Sequence, residues 1–288
     1  MDPGVETIVT EYRAGHINRR VFFERLIAVV GSYAVAHQYL ETSGLAMSLL
    51  SPAQSGNADL ESTAVKFPGE GVTLEGYLSR PKGKGPFPGM ILIHENRGLT
   101  DHIRDVARRL ASEGCATLAV DLLSRQGGTS SFATPEDATK AFQGVTDDDV
   151  IRDLNAAYSY LNSNPAARKD DIGVMGFCWG GQRTFLYATA NPKLKAAVVF
   201  YGSPPPDDRL QQIQCPVLGN YGEKDTRITS TVPATEMKMK KLGKSYDARI
   251  YPGAEHAFFN DTNAERYNAA AAKDAWPRVL AFLKKNLG

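Results

Sequence analysis

A cysteine between two glycines is the residue in this sequence best placed for nucleophilic chemistry. Gly176, Cys178 and Gly180 follow an apolar segment and precede a segment of helical character. This is the G-x-S-x-G nucleophile elbow with cysteine in the serine position, a strained turn from a strand into a helix. Glycine two residues to either side of the nucleophile avoids collisions with neighbouring backbone. The motif predicts a thiol at a helix N-terminus, where the partial positive charge favours thiolate.

A nucleophile of this kind needs a base and a group that orients the base. His256 is the only histidine after Cys178, and it lies in a loop just beyond the last predicted strand. Asp225 follows an earlier predicted strand, and in chains with this elbow the acid and the base follow the nucleophile in that order. We therefore predict Cys178, Asp225 and His256 as catalytic residues. Weaker alternatives for the acid are Asp207, Asp208 and Glu223.

The segment 94–98 directly follows another predicted strand, and a loop in this place commonly helps to bind an oxyanion. The expected donors are the backbone amides of Asn96 and Trp179. Glu95 is expected to support catalysis by holding the thiol proton, or else to bind Arg97 or Arg125. His94 is expected either to pack at the end of the strand or to touch the substrate. The predicted pocket residues are His94, Arg97, Arg125 and Phe258.

Strand and helix patterns alternate along residues 59–288 and would position these groups. Period-two or continuous apolar runs predict strands at 63–67, 72–78, 89–93, 116–120, 172–177, 196–201, 216–221 and 248–251. Helical periodicity predicts a helix after Thr100 that ends at Gly114, and others at 148–161, 182–190 and 269–287. This alternation predicts an α/β fold with a mostly parallel central sheet flanked by helices.

Residues 1–58 form a predicted extension that precedes the catalytic domain at 59–288. Two adjacent arginines at 19–20 stand before an apolar run at 26–36, as in a twin-arginine export signal with a cleavage site at 34–36. The alternative is an amphipathic helix over 18–40, followed by a polar linker at 51–57. We favour the helix, and with it a cytoplasmic location over a periplasmic one.

The composition excludes several classes of protein. The 288 residues include 33 Lys and Arg against 32 Asp and Glu, so a net charge of +1 gives no electrostatic footprint for nucleic acid. Three widely spaced cysteines fit neither a disulfide framework nor a zinc site. No apolar run reaches a membrane span, and we expect no metal and no cofactor. The expected partner is a small-molecule ester or lactone. The sequence leaves open whether the protein forms a homodimer.

The segments 94–98, 120–125, 176–181, 223–227 and 252–258 together resemble the dienelactone hydrolase family, whose members include carboxymethylenebutenolidases. The resemblance covers residues 63–287 and implies an α/β-hydrolase fold with a triad of Cys178, His256 and Asp225. It also implies that Glu95 hydrogen-bonds the resting thiol and helps to deprotonate it. The implied reaction is hydrolysis of an ester or lactone through a thioester. The alternatives are hydrolysis of a thioester or phosphotriester, or a redox-responsive thiol.

The sequence departs from this family at the residues that would clamp a substrate carboxylate. The best-known members have an arginine four residues after the catalytic histidine, and this chain has Asn260 there. No arginine lies between Gln126 and Arg152, where a second clamp is expected. These departures disfavour a substrate that carries a free carboxylate.

Overall fold

The structure, a computed structural model, describes residues 3–13, 19–30 and 59–288. The chain divides into two compact units, Met1–Asp59 and Leu60–Gly288. In the first unit, helices α1 (Pro3–Arg13) and α2 (Arg19–Val30) pack together, with Val5 and Phe22 among their buried residues. Part of the predicted helix over 18–40 is therefore present as α2. Residues 31–58, with the predicted cleavage site and linker, lie outside the described residues, so the choice between helix and export signal stays a prediction.

Eight strands of the second unit form one sheet, and most of its neighbouring strands run parallel. The order across the sheet is β1-β2-β4-β3-β5-β6-β7-β8, with β1–β2 and β2–β4 antiparallel and the other pairs parallel. The prediction of a mostly parallel sheet is confirmed. The strands are β1 (Leu60–Gly69), β2 (Val72–Pro81), β3 (Phe87–Ile93), β4 (Ala116–Asp121), β5 (Ala167–Phe177), β6 (Ala196–Phe200), β7 (Val217–Gly222) and β8 (Tyr246–Tyr251).

Helices cover both faces of this sheet. They are α3 (Asp101–Ser112), α4 (Pro135–Ala141), α5 (Asp147–Ser163), α6 (Trp179–Ala190), α7 (Thr226–Thr229), α8 (Val232–Lys241) and α9 (Ala269–Leu287). Short 3-10 helices lie at Ser124–Gln126, Thr129–Ser131, Phe142–Gly144 and Asp207–Gln212. Among the described helices, none has the length and apolar character needed to cross a membrane.

Strand β3 shows how the sheet divides the core into two layers. Ile91 and Ile93 pack in the layer that contains the buried residues of α5, α6 and α8, whereas Met90 and Leu92 pack with those of α3 and α9. Side chains of a strand alternate between its faces, so a strand covered on both sides reads as a continuous apolar run. This is the pattern from which the sequence predicted β3.

Several elements differ from their sequence-based predictions. Strand β1 extends beyond 63–67 because it pairs with β2 along its whole length, from Leu60 to Gly69. Helix α3 begins after Thr100 as predicted, but the Thr100 side chain makes no capping hydrogen bond. Helices α4 and α8 were not predicted. Each is ten residues or shorter, too short for apolar periodicity to be decisive.

Candidate active site

The turn between β5 and α6 has the strained geometry of a nucleophile elbow. Cys178 joins the two elements with φ 55° and ψ −117°, and its backbone amide donates to the Phe200 carbonyl at 3.1 Å. A Cβ at position 176 would collide with the Gly180 carbonyl, and one at Gly180 would collide with the His94 carbonyl. The expected need for glycine at both positions is confirmed. The same close approach sets the elbow directly against the loop that follows β3.

The Cys178 thiol lies at the N-terminus of α6 and is half-buried. A helix N-terminus carries a partial positive charge that stabilises a thiolate. The other two cysteines differ, because burial raises the pKa of both Cys115 and Cys215 to about 12. They are small core residues, as their apolar surroundings predicted.

His256 and Asp225 meet although they lie on different loops. The distance between His256 Nδ1 and Asp225 Oδ2 is 2.5 Å. Since a carboxylate only accepts hydrogen bonds, Nδ1 carries the proton and Nε2 is left for another partner. Glycine at position 222 allows the two loops to approach each other, because a Cβ there would overlap the carbonyl of Glu255, the residue before His256.

The pKa of His256 reflects both of its side-chain neighbours. Burial lowers this pKa, but hydrogen bonds with Asp225 and Cys178 and the charges of both groups outweigh the burial and raise it to about 9. A histidine with this pKa favours its protonated form at neutral pH.

Two of the three alternative acids, Glu223 and Asp207, bind other groups. Glu223 accepts a hydrogen bond from the Gly253 amide at 2.8 Å and thereby ties the turn before His256 to the end of β7. Asp207 pairs with Lys238 on α8. The carboxylate that reaches the His256 ring is that of Asp225.

His94 holds the loop after β3 and is not available to a substrate. Its side chain is completely buried, with Nδ1 2.7 Å from the Glu95 carbonyl and Nε2 accepting from the Leu122 amide at 3.1 Å. These partners require a proton on Nδ1 and none on Nε2. Burial lowers the pKa of His94, which agrees with a neutral ring. Of the two expectations for His94, packing at the strand end is correct and substrate contact is wrong.

Glu95 is buried and binds an amide instead of an arginine or the thiol. Its Oε2 accepts a hydrogen bond from Asn260 Nδ2 at 2.8 Å, and its Oε1 has no hydrogen-bond partner within the described residues. The expectation that Glu95 binds Arg97 or Arg125 is therefore wrong. The implied hydrogen bond from the resting thiol to Glu95 is likewise not present in this structure. Sequence reasoning missed this role of Asn260, although its place four residues after His256 was a usable signal.

Two further predicted pocket residues have other roles. Arg125 binds the buried Asp153 carboxylate of α5 through two hydrogen bonds of 3.0 and 2.7 Å, so its charge is already paired. Phe258 is completely buried, with its ring 5.0 Å from that of Tyr251 and 5.5 Å from that of Tyr201. Because its side chain has no exposed surface, it does not line an open pocket. Arg97 is exposed in the turn after β3 and stays a predicted pocket residue.

The amides predicted to bind an oxyanion lie on the two segments that meet at Gly180. Trp179 is the first residue of α6, and the first amides of a helix have no intrahelical acceptor. Asn96 lies in a turn closed by the Gly98 amide and the Glu95 carbonyl at 3.3 Å. This arrangement is compatible with the predicted role of both amides, which stays a prediction.

An aspartate and a threonine fix the turn that contains Asn96. The Thr129 hydroxyl accepts from the Leu99 amide at 2.8 Å and donates to Asp121 Oδ1 at 2.8 Å. Gly98 has φ +81° and lies against Thr129, so glycine is required there for both conformation and space. Sequence reasoning did not identify Thr129, which lies far from this turn along the chain.

Metal chemistry has no obvious site in the region covered by the structure. Among residues 3–13, 19–30 and 59–288, no group of three His, Cys, Asp or Glu side chains is arranged to hold a metal ion.

Comparison with known proteins agrees with the fold and identifies the family of the chain. The family model described as the dienelactone hydrolase family matches residues 74–287. The chain belongs to the dienelactone hydrolase family. Among relatives, a protein of Escherichia coli K12, provisionally named a carboxymethylenebutenolidase, is 36% identical over 232 residues, covering 76% of this chain and 85% of its own. One of Methylorubrum extorquens AM1 with the same provisional name is 35% identical over 233 residues, covering 77% and 80%.

A solved structure also agrees with the family assignment. A provisionally named dienelactone hydrolase from Klebsiella pneumoniae superposes with a TM-score of 0.73 at 35% identity, covering 78% of this chain and 99% of that one. As a member of this family the protein has the α/β-hydrolase fold, and it is a hydrolase.

Proposed function

We propose that this dienelactone hydrolase family member cleaves esters or lactones through a thioester on Cys178, with His256 as base and Asp225 as its orienting acid. The observation that carries the proposal is the position of the His256 ring. It bonds Asp225 through Nδ1 at 2.5 Å, and the Cys178 side chain at the helix N-terminus lies close enough to raise the pKa of His256. This is the relation of nucleophile, base and orienting group that covalent acyl transfer requires.

In the acylation half, the Cys178 thiolate attacks the substrate carbonyl carbon and forms a carbon–sulfur bond. The carbonyl oxygen takes the electron pair, and the Asn96 and Trp179 amides bind the resulting oxyanion. Loss of one such donor typically costs about 3–4 kcal/mol of transition-state stabilisation. The intermediate then expels the alcohol oxygen, which takes its proton from the His256 imidazolium. In the second half, His256 removes a proton from water, which attacks the thioester and releases the acid and the thiolate.

The leaving-group chemistry limits the substrates. Thiolate is a better leaving group than an amine, so an amide intermediate would expel sulfur and return to substrate. Activated esters, lactones and thioesters do not have this problem. The side chain at position 260 is a neutral amide bound to Glu95, and Arg125 is paired with Asp153. Neither position offers a free cation, so we propose an uncharged acyl group over one that carries a carboxylate.

Thiol alkylation and mutation test this proposal with p-nitrophenyl acetate as substrate. Iodoacetamide and C178A should each abolish turnover, and intact mass after rapid quenching should show one acetyl group on the wild-type protein but none on C178A. The matched control is C215A, which removes a buried thiol of raised pKa and should retain activity. Turnover by C178A at the wild-type rate would exclude the covalent mechanism. Reversible oxidation of Cys178 without turnover of any ester would support a redox role instead.

A further inference from the structure

The Tyr201 hydroxyl is buried next to the proposed catalytic residues and has no hydrogen-bond partner in the part of the chain that the structure describes. Tyr201 directly follows β6, at the edge of the sheet where Cys178 lies. Its ring centroid is 5.0 Å from that of His256. Its φ is +39°, a strained value for a residue other than glycine. The backbone holds this conformation through a 2.8 Å hydrogen bond from the Tyr201 amide to the Asn220 carbonyl.

Glu95 has a second buried atom without a hydrogen-bond partner among the described residues, and its charge acts on the Tyr201 hydroxyl. Its Oε1 is buried without a partner among the described residues, while Oε2 is held by Asn260. Burial raises the pKa of Tyr201 well above its ordinary range, and the charges of Glu95 and Cys178 raise it further. The phenol therefore stays protonated and can donate a hydrogen bond, whereas the carboxylate oxygen can only accept one.

A buried donor and a buried acceptor that are both unpaired carry a desolvation cost unless a third group bridges them. A water molecule suits such a place because it accepts and donates, and buried waters typically make about three hydrogen bonds. His256 is the third neighbour, since its ring lies against Tyr201 and its base function requires a water proton.

We propose that the Tyr201 hydroxyl and Glu95 Oε1 hold the water molecule that hydrolyses the acyl-enzyme. This inference rests on the thioester mechanism proposed above. The water accepts a hydrogen bond from Tyr201 and donates one to Glu95, and its second proton passes to His256. Its oxygen bonds to the thioester carbon, the carbon–sulfur bond breaks, and Cys178 leaves as thiolate. Tyr201 and Glu95 keep their own protonation states throughout, so both act by binding the reacting water.

The test separates acylation from deacylation by rapid mixing with p-nitrophenyl acetate. In Y201F, which preserves the ring and removes only the hydroxyl, the initial burst of p-nitrophenol should keep its rate within about twofold. The steady-state rate should fall by about tenfold, the rate equivalent of one ordinary hydrogen bond. Acetyl-enzyme should accumulate on Cys178 by intact mass. Hydroxylamine, a stronger nucleophile that does not need the bound water, should restore turnover.

The matched control is Y158F, which removes another buried and unpartnered tyrosine hydroxyl, on α5. It should leave both phases unchanged. E95Q is the second variant and should also slow deacylation. The Y201F/E95Q double variant should be slowed by less than the product of the two single effects, because both groups hold one water.

Three outcomes distinguish the inference from the proposed function. A wild-type burst with unchanged deacylation in Y201F would overturn the role of Tyr201 while leaving the thioester mechanism intact. A defect of E95Q confined to the burst would assign Glu95 to thiol activation and would also overturn the shared water. Bursts that persist in C178A would refute the thioester mechanism itself.

Discussion

Replacing Asp225 with asparagine should change the ionisation of the cysteine as well as the turnover of substrate. In the structure, Asp225 accepts the Nδ1 proton of His256 at 2.5 Å and adds a negative charge beside the ring. An asparagine side chain keeps the size but removes the charge, and its amide can present a donor that favours the wrong tautomer of His256. D225N should therefore weaken the imidazolium that stabilises the Cys178 thiolate.

The size of the effect follows from the pKa of His256. The environment raises this pKa from 6.5 to about 9, which corresponds to about 3 kcal/mol in favour of the imidazolium. Hydrogen bonds and charges of both Asp225 and Cys178 contribute to this value. A hydrogen bond to a charged group typically contributes about 1.5 kcal/mol or more, so the loss of the Asp225 carboxylate should lower the pKa of His256 by about one unit. Turnover should fall further, by about a hundredfold or more, because the tautomer is also wrong.

The assay is the rate of Cys178 alkylation by iodoacetamide as a function of pH. The wild-type protein should react at neutral pH, because His256 can accept the Cys178 proton. The midpoint of the D225N profile should lie about one pH unit higher. E223Q is the matched control, since Glu223 is a carboxylate on the same loop that binds the Gly253 amide and not the histidine. Its alkylation profile should match that of the wild type.

Two results would refute this reasoning. An alkylation profile of D225N that superimposes on the wild type would mean that Asp225 does not support the imidazolium. An equal shift in E223Q would mean that the effect comes from the general charge of the loop. In either case the short distance between Asp225 and His256 would have no role in activating Cys178.

Three more predictions concern stability and are measured by urea unfolding. The free energy of unfolding of G180A should fall by about 3 kcal/mol or more despite the helix propensity of alanine, because a Cβ at this position meets backbone carbonyls. The control is G144A, where a Cβ meets open space, and its free energy of unfolding should change by less than about 0.5 kcal/mol. Burial lowers the pKa of His94, so the unfolded chain binds this proton more readily than the folded protein. The free energy of unfolding should therefore fall as the pH drops below about 6.5. H94F should lose this part of the pH dependence. D261N should cost about 1–2 kcal/mol at neutral pH. Burial raises the pKa of Asp261, but His102 and Arg109 on α3 lower it well below its usual range. The stabilisation that depends on the Asp261 carboxylate should therefore disappear in acid, where the free energies of unfolding of wild type and D261N converge.

Much of the fold was readable in the sequence because each strand and helix has a local pattern. The continuous apolar run of β3 reports burial on both faces, and the periodicity of α3 reports one buried side. The short helices α4 and α8 lack a comparable pattern, and neither was found. The length of β1 was also missed, because it depends on pairing with β2 and not on the residues of β1 alone.

In the candidate site, too, features with a local sequence pattern were predicted, and contacts between distant segments were not. The pattern around Cys178 predicted the elbow because glycine, cysteine and glycine at this spacing describe one local backbone conformation. The errors concern side chains whose partners come from distant segments. Arg125 bonds Asp153 on α5, and Phe258 packs against aromatic rings at the ends of β6 and β8. No local pattern distinguishes these places from the edge of a pocket.

Taken by itself, the sequence determined the class of fold, the strained turn at Cys178 and the candidates for base and acid, since each depends on a few consecutive residues. Only the tertiary structure decided which carboxylate reaches His256 and what Glu95 binds. Asp225 and His256 are 31 residues apart, and Glu95 and Asn260 are 165 apart. Such contacts depend on the order of parallel strands and on how closely their loops approach, and the absence of a Cβ at Gly180 and Gly222 permits two close approaches between segments.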